Sequence, residues 1–167
     1  MTNLTKMMAV ALAVCLSLAA AAPVSAQVGI SVGAKAPGAV VHTLDGGQLN
    51  LDQYIGKTPV LLEFWATWCG NCKELEPQFL KVSKQYGSRV KFVGVAVSVN
   101  QSPRRVKLYA EKYHYPYQMV YDTDGNAVVA YDVPATSYVV VIDKSGKVVY
   151  TGLGGDQNLD AAIRKAL

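Results

Sequence analysis

Residues 60–73 read VLLEFWATWCGNCK. The first six form an apolar run broken only by Glu63, which is typical of a central strand buried on both faces. A helix is predicted next, from about Asn71 to Tyr86. Its apolar stripe is formed by Leu75, Phe79, Leu80 and Val82. Two cysteines, Cys69 and Cys72, therefore stand where a buried strand ends and a helix begins.

The spacing of Cys69 and Cys72 suits thiol–disulfide chemistry. Residues three apart on the first turn of a helix point toward the same side, so the two sulfurs can reach disulfide geometry. The unpaired N–H groups and the positive dipole end of that turn favour the thiolate of the first cysteine. Such a thiolate attacks a partner's disulfide, and the second cysteine then resolves the mixed disulfide. The pair is therefore predicted to be redox-active.

Three other interpretations of the cysteine pair are weaker. A structural disulfide that spans two residues closes almost no loop, so it would add little stability. A zinc site needs four ligands, and only His42 and His114 remain as candidates. A c-type haem would need histidine at position 73, which is Lys73. No metal and no other cofactor is predicted.

The elements around this motif alternate between strand and helix. Strands are predicted at 40–43, 48–51, 60–65, 90–97, 117–121, 138–142 and 147–151, and helices at 71–86, 103–114, 126–131 and 158–167. Such alternation predicts a single α/β domain with a central mixed sheet, flanked by helices on both faces, and an N-terminal β-hairpin. We assign this domain to residues 27–167.

The segment from Val60 to Pro77 resembles the active-site segment of the thioredoxin superfamily. Together with the leader described below, the N-terminal hairpin and residues 93–122, it is similar to the TlpA/ResA-like extracytoplasmic branch. The resemblance implies a thioredoxin-like fold and thiol–disulfide exchange, with Cys69 as the exposed nucleophile and Cys72 as the buried resolving thiol. It also implies that Glu63 is the buried carboxylate beneath them, whose pKa burial should raise so that it can shuttle the proton of Cys72.

The same resemblance implies a substrate-binding surface. Trp68 would lie beside the nucleophile and offer a contact surface, whereas Trp65 is equally well explained as a residue of the hydrophobic core. The family carries a cis-proline facing the disulfide, and the matching position here is Ser137, with Pro134 three residues earlier. Either a shifted loop gives Pro134 that role, or the cis-proline is absent. We include Pro134, Thr136 and Ser137 among the predicted substrate contacts.

Residues 1–26 have the pattern of a secretory signal peptide. Lys6 precedes an apolar run from Met7 to Ala22, and Val24-Ser25-Ala26 would place the cleavage site before Gln27. The run is shorter than the roughly 20 residues that a bilayer requires, so no membrane anchor is expected after cleavage. Cys15 lies inside the run and would be lost with the leader. The mature protein is therefore predicted to be periplasmic or secreted.

Composition limits the remaining function classes. The 167 residues are 51% hydrophobic, which excludes intrinsic disorder. The net charge is +4, and no basic cluster exceeds the Arg104–Arg105 pair, so nucleic acid binding is not suggested.

We predict an extracytoplasmic protein disulfide reductase. Its partners would be protein disulfide clients and a membrane-embedded thiol electron donor.

Two alternative functions remain at this point. A peroxiredoxin-like thiol peroxidase would need proline seven residues before Cys69, where Leu62 stands, and threonine three before it, whereas Thr67 is two before. A copper-handling thioredoxin-like protein usually carries CxxxC and a distant histidine. Here the spacing is CxxC, and His114 is the only downstream histidine.

Overall fold

The computed structural model describes residues 28–167, so the predicted leader and Cys15 lie outside the described residues. The described part contains seven strands, four α-helices and one short 3-10 turn at Leu51–Gln53. The strands are β1 Val40–Thr43, β2 Gln48–Asn50, β3 Val60–Trp65, β4 Lys91–Val97, β5 Gln118–Asp122, β6 Tyr138–Ile142 and β7 Val148–Leu153. The helices are α1 Gly70–Tyr86, α2 Pro103–Tyr113, α3 Asn126–Ala130 and α4 Leu159–Arg164.

All seven strands form one mixed sheet in the order β2-β1-β5-β4-β3-β6-β7. β3 pairs in parallel with β4, and β4 with β5, while the other neighbours are antiparallel. The predicted N-terminal hairpin is β1–β2, at one edge. The predicted fold class is confirmed. Boundaries differ mainly at the end of the chain, where α4 is shorter than the predicted 158–167 segment.

The sheet is covered on both faces because its central strands are apolar on both sides. Leu61 of β3 packs in a core with residues of α1 and α4, whereas Leu62 and Phe64 belong to a second core that includes residues of α2 and α3. Each such buried side chain contributes roughly 1.5–3 kcal/mol relative to an exposed one. β3 is thereby held at the centre of the molecule, and its carboxyl end leads directly to the cysteines.

Helix α1 starts at that end of β3 and runs without interruption through Pro77. Proline has no N–H, so it cannot donate to the carbonyl of Lys73 one turn earlier. No helix within residues 28–167 is long and apolar enough to cross a membrane.

Candidate active site

A disulfide joins Cys69 and Cys72, whose Cα atoms are 5.3 Å apart. Cys69 is the N-cap residue of α1, and its Sγ accepts a hydrogen bond of 3.1 Å from the backbone N–H of Cys72. An orphan donor of the first helical turn is thus directed at the sulfur, which favours negative charge there. The sequence prediction that the pair reaches disulfide geometry is confirmed.

The expectation of an exposed nucleophile is not met in this oxidised form. Cys69 is 4% exposed and Cys72 is 6% exposed, so accessibility does not distinguish them. The sulfur of Cys69 faces the first helical turn, where it accepts the hydrogen bond from the Cys72 N–H. The two cysteines differ instead in their neighbours, because Cys72 lines a small internal cavity together with Glu63.

Glu63 lies in the middle of β3, paired with Gly94 of β4 and Val139 of β6. It is 6% exposed. Burial raises its pKa from an ordinary value of 4.5 to about 8, and the nearby negative charge of Glu76 adds to the rise. The predicted burial of Glu63 and the direction of its pKa shift are confirmed.

The cavity beside Cys72 has a volume of about 20 Å³. Its polar lining includes Glu63, Lys73, Glu76, Trp65 and three tyrosines, Tyr109, Tyr115 and Tyr117. The Tyr115 hydroxyl donates a hydrogen bond of 2.8 Å to Glu76 Oε1.

Glu76 and Tyr115 were not singled out from the sequence as site residues. Glu76 follows Cys72 by four residues on α1, and residues at that spacing share one face of a helix. That spacing was the available signal for Glu76. Nothing local in the sequence pointed to Tyr115, which lies 39 residues from Glu76 along the chain.

The loop between β4 and α2 holds the segment that precedes Cys69. The Gln101 side chain accepts a hydrogen bond of 2.9 Å from the backbone N–H of Thr67 and donates one of 2.6 Å to the Val97 carbonyl. The Trp68 indole N–H donates a hydrogen bond of 2.8 Å to the Val99 carbonyl. Trp68 is nevertheless 42% exposed, as its predicted contact role requires. Gln101 was not singled out from the sequence.

Ser137 is buried immediately before β6, with a left-handed φ of 65°. Its N–H donates to the Phe64 carbonyl at 2.9 Å, its hydroxyl donates to the Gly154 carbonyl at 3.0 Å, and its own carbonyl accepts from the Gly154 N–H at 3.0 Å. Ser137 therefore lies behind the surface, whereas Pro134 is exposed and Thr136 is half-buried. No peptide bond within residues 28–167 is cis, so Pro134 does not take the cis role.

The remaining candidate residues lie outside this site or are part of the hydrophobic core. Trp65 is 4% exposed and packs against Tyr109 at a ring-centroid distance of 5.6 Å, as expected of a core residue. His42 Nδ1 lies 3.0 Å from Thr123 Oγ1 on the hairpin side of the sheet. His114 is the left-handed C-cap of α2. Among residues 28–167, no three His, Cys, Asp or Glu side chains are grouped as a metal site.

Comparison with known proteins identifies the family to which this arrangement belongs. The family model described as Redoxin matches residues 31–167. The chain belongs to the Redoxin family. The matched residues include the whole described sheet, Cys69, Cys72 and helices α1 to α4.

Individual proteins are also similar to this chain. The Bacillus subtilis thioredoxin-like protein YneN is 34% identical over 122 residues, which are 72% of this chain and 70% of that protein. The thiol-disulfide oxidoreductase ResA of the same organism is 35% identical over 120 residues, 72% of this chain and 66% of ResA. A thioredoxin-family thiol:disulfide interchange protein from Chlorobium tepidum TLS superposes with a TM-score of 0.69 at 26% identity, covering 82% of this chain and 98% of that structure.

These findings confirm the resemblance inferred from the sequence and the class of chemistry. The chain is a thioredoxin-superfamily protein of the TlpA/ResA-like type, and its reaction is thiol–disulfide exchange.

Proposed function

We propose that this chain is an exported reductase of protein disulfides, in which Cys69 is the nucleophile and Cys72 is the resolving thiol. One observation carries the assignment of roles: Cys69 caps the N-terminus of α1, whereas Cys72 lines the cavity that contains Glu63. The helix N-terminus favours a thiolate at Cys69, and the buried carboxylate can take a proton from Cys72.

The proposed reaction moves two electrons to the client. The Cys69 thiolate attacks one sulfur of the client disulfide, forming a mixed disulfide and releasing the first client thiolate. Cys72 then passes its proton to the ionised Glu63 carboxylate and attacks the Cys69 sulfur. This second step releases the other client thiolate and closes the disulfide seen here. The released thiolates take up protons from solvent.

The acidic surroundings of Cys72 support the reducing direction. A strong oxidant such as DsbA owes its potential to a stabilised reduced form. Here the negatively charged Glu76 lines the cavity beside Cys72, so a negative charge on the Cys72 sulfur is opposed. Such an arrangement destabilises the reduced pair relative to the disulfide and so lowers the reduction potential of the pair.

The reduction potential of the Cys69–Cys72 pair tests this direction. We expect a value near that of thioredoxin, about −270 mV, when the protein is equilibrated with glutathione or dithiothreitol mixtures. The fraction of disulfide would be followed by alkylation and mass spectrometry. A value near about −120 mV, typical of a strong oxidant, would contradict the proposed reductase.

Client binding is assigned to the exposed surface around the cysteines. Trp68 and Val99 are both exposed and are linked by the hydrogen bond from the Trp68 indole to the Val99 carbonyl. Pro134 and Thr136 reach the surface on the loop before β6. An exposed aromatic ring beside a loop with accessible backbone suits an extended client segment. Ser137 supports that loop from behind.

Export is proposed from the pattern of residues 1–26. We expect the mature protein, isolated from cells in which the chain is made with its leader, to begin at Gln27. Intact-mass spectrometry of the purified protein gives the N-terminus directly. A mature product that still carries residues 1–26 would contradict cleavage. The variant Ala26→Leu, which places a large residue at the cleavage position, should accumulate as uncleaved precursor.

Export also defines the second partner. A reductase in an oxidising compartment is itself oxidised in every cycle, so it needs two electrons from outside that compartment. We propose a membrane-embedded thiol protein as the donor, which would attack the Cys69–Cys72 disulfide by the same exchange chemistry.

A further inference from the structure

The buried Glu63 carboxyl needs a way to exchange its proton with solvent. At neutral pH a carboxyl with a pKa of about 8 is mostly protonated, so it must lose a proton before it can accept the one from Cys72. Glu63 is 6% exposed, and a client docked at Trp68 would cover the cysteine side of the site. The proton therefore needs a route to solvent, here called the outlet, on another side of Glu63.

The cavity beside Glu63 is suited to hold one water molecule. Its volume of about 20 Å³ exceeds the roughly 10–15 Å³ that a single water requires. Trp65 lines this cavity, and its buried indole N–H has no hydrogen-bond partner among residues 28–167. Buried donors are nearly always paired with protein or with ordered water. Together with the carboxyl oxygens of Glu63 and Glu76, the indole gives such a water three polar partners.

Glu76 connects this cavity to the outside. Its side chain lines the cavity from α1, and the residue as a whole is half-buried rather than sealed. The Tyr115 hydroxyl holds it by donating a hydrogen bond of 2.8 Å. Tyr115 also lines an open groove of about 530 Å³ between α2, β5 and the β1–β2 turn. Tyr115 therefore stands between the small cavity and solvent.

We propose that Glu76, oriented by Tyr115, is the outlet through which Glu63 exchanges its proton with solvent by way of one water in the shared cavity. The proton leaves the Glu63 carboxyl, passes through the water to a Glu76 oxygen, and is released to solvent from the half-buried Glu76 side chain. No electrons move in this step. The inference rests on the proposed role of Glu63 as the base for Cys72. Glu76 and Tyr115 touch no client atom and act through Glu63.

The other ionisable groups around the cavity are compatible with this route. Lys73 is exposed on the first turn of α1, and Tyr109 and Tyr117 face the cavity from α2 and from the segment before β5. Burial, together with the charge of Glu76, raises the pKa of Tyr109, Tyr115 and Tyr117, so all three hydroxyls stay protonated at neutral pH. The two glutamates are then the proton carriers.

The variant Glu76→Gln distinguishes a role of Glu76 in proton transfer from a purely electrostatic effect on Glu63. Removing the negative charge lowers the pKa of Glu63, so more of the base is ionised at pH 7. If charge were the only contribution of Glu76, the resolving step would become faster. We expect it instead to slow roughly tenfold, because the outlet is lost. Glu76→Asp, which keeps a carboxyl at this position, should retain most of the rate.

The experiment compares stopped-flow rates of the resolving step at pH 7 in wild type, Glu76→Gln, Glu76→Asp and Tyr115→Phe. Tyr115→Phe keeps the ring and loses only the hydroxyl, so a smaller, roughly threefold loss is expected. The matched controls are Glu74→Gln and Tyr113→Phe, which alter exposed neighbours that do not line the cavity. An unchanged or faster step in Glu76→Gln, or an equal loss in Glu76→Asp, would overturn the proposal.

A second measurement is independent of turnover. In the oxidised protein, the infrared band of the protonated Glu63 carboxyl, assigned by its loss in Glu63→Gln, can be titrated from pH 5 to 10. Glu76→Gln should move its midpoint down by about one pH unit, while Glu74→Gln leaves it in place. An unmoved midpoint would remove the link between the two glutamates. Failure of the wild type to reduce any disulfide would instead count against the proposed function.

Discussion

Replacing Cys72 with serine is expected to leave Cys69 trapped in mixed disulfides with client proteins. The Cys69 thiolate still forms the first bond, but the thiol that breaks it is gone. An oriented intramolecular group acts at an effective concentration far above the millimolar level of any free thiol. Release of the client should therefore slow by at least about a thousandfold.

The trapped species would be isolated from the compartment in which the protein works, separated without reductant, and identified after reduction by mass spectrometry. Cys69→Ser is the matched control because it keeps one thiol of the same pair. It should trap no clients, since Cys72 is not the N-cap residue of α1 and lies beside the buried Glu63 cavity. Equal trapping by the two variants would show that the roles of nucleophile and resolving thiol are wrongly assigned.

Glu63→Gln is expected to slow turnover while keeping the fold. The amide has nearly the same shape as the protonated carboxyl that burial favours in this strand. It cannot accept the proton of Cys72, so the resolving step should slow by about 10²-fold, the lower end for a lost general base. Formation of the mixed disulfide by Cys69 should change little. Stopped-flow rates of the two steps from pH 6 to 9 separate these effects.

The same variant should change how stability depends on pH. Glu63 ionises near 4.5 in the unfolded chain but near 8 in the folded one, so between these values the folded state binds more protons. The free energy of unfolding of the wild type therefore falls as pH rises through this window, and the loss is complete above pH 8. Glu63→Gln lacks this loss and should be the more stable protein at pH 9, by on the order of 4 kcal/mol.

Denaturant unfolding of oxidised wild type and Glu63→Gln at pH 5, 7 and 9 measures this difference. Most other groups titrate alike in both proteins. Subtracting the two curves of unfolding free energy against pH therefore isolates the contribution of Glu63. Glu74→Gln provides a comparison for the loss of an exposed carboxylate on α1 and should show little change. A constant difference across this range would mean that Glu63 titrates as an ordinary exposed carboxyl and has no place in the mechanism.

The sequence was most informative where local pattern determines structure. The apolar run of β3 predicted a strand buried on both faces. The resemblance of residues 60–77 to the thioredoxin superfamily implied a buried carboxylate at Glu63, and the apolar residues on either side of it agreed. The cysteine spacing predicted a disulfide on the first turn of α1. These features depend on neighbours within a few residues, so they could be read without tertiary information.

What the sequence could not show depends on segments that meet only in the folded chain. Gln101 contacts Thr67 across 34 residues, and Tyr115 contacts Glu76 across 39. Neither polar side chain carries a periodic signal of its own. The burial of Cys69 was missed for a similar reason, because the exposure of a residue where a strand meets a helix depends on the loops that surround it.

The backbone at Ser137 limits how this chain can evolve by single substitutions. Proline at this position would require φ near −65° instead of the observed 65°, and it would remove the N–H that binds the Phe64 carbonyl. Asparagine or glycine fits the left-handed backbone, but neither provides the serine hydroxyl that binds Gly154. A descendant of this protein could therefore acquire a proline beside its disulfide only if the whole loop were remodelled together with β7. Ser137 therefore couples the backbone of the loop before β6 to the residue that follows the edge strand β7.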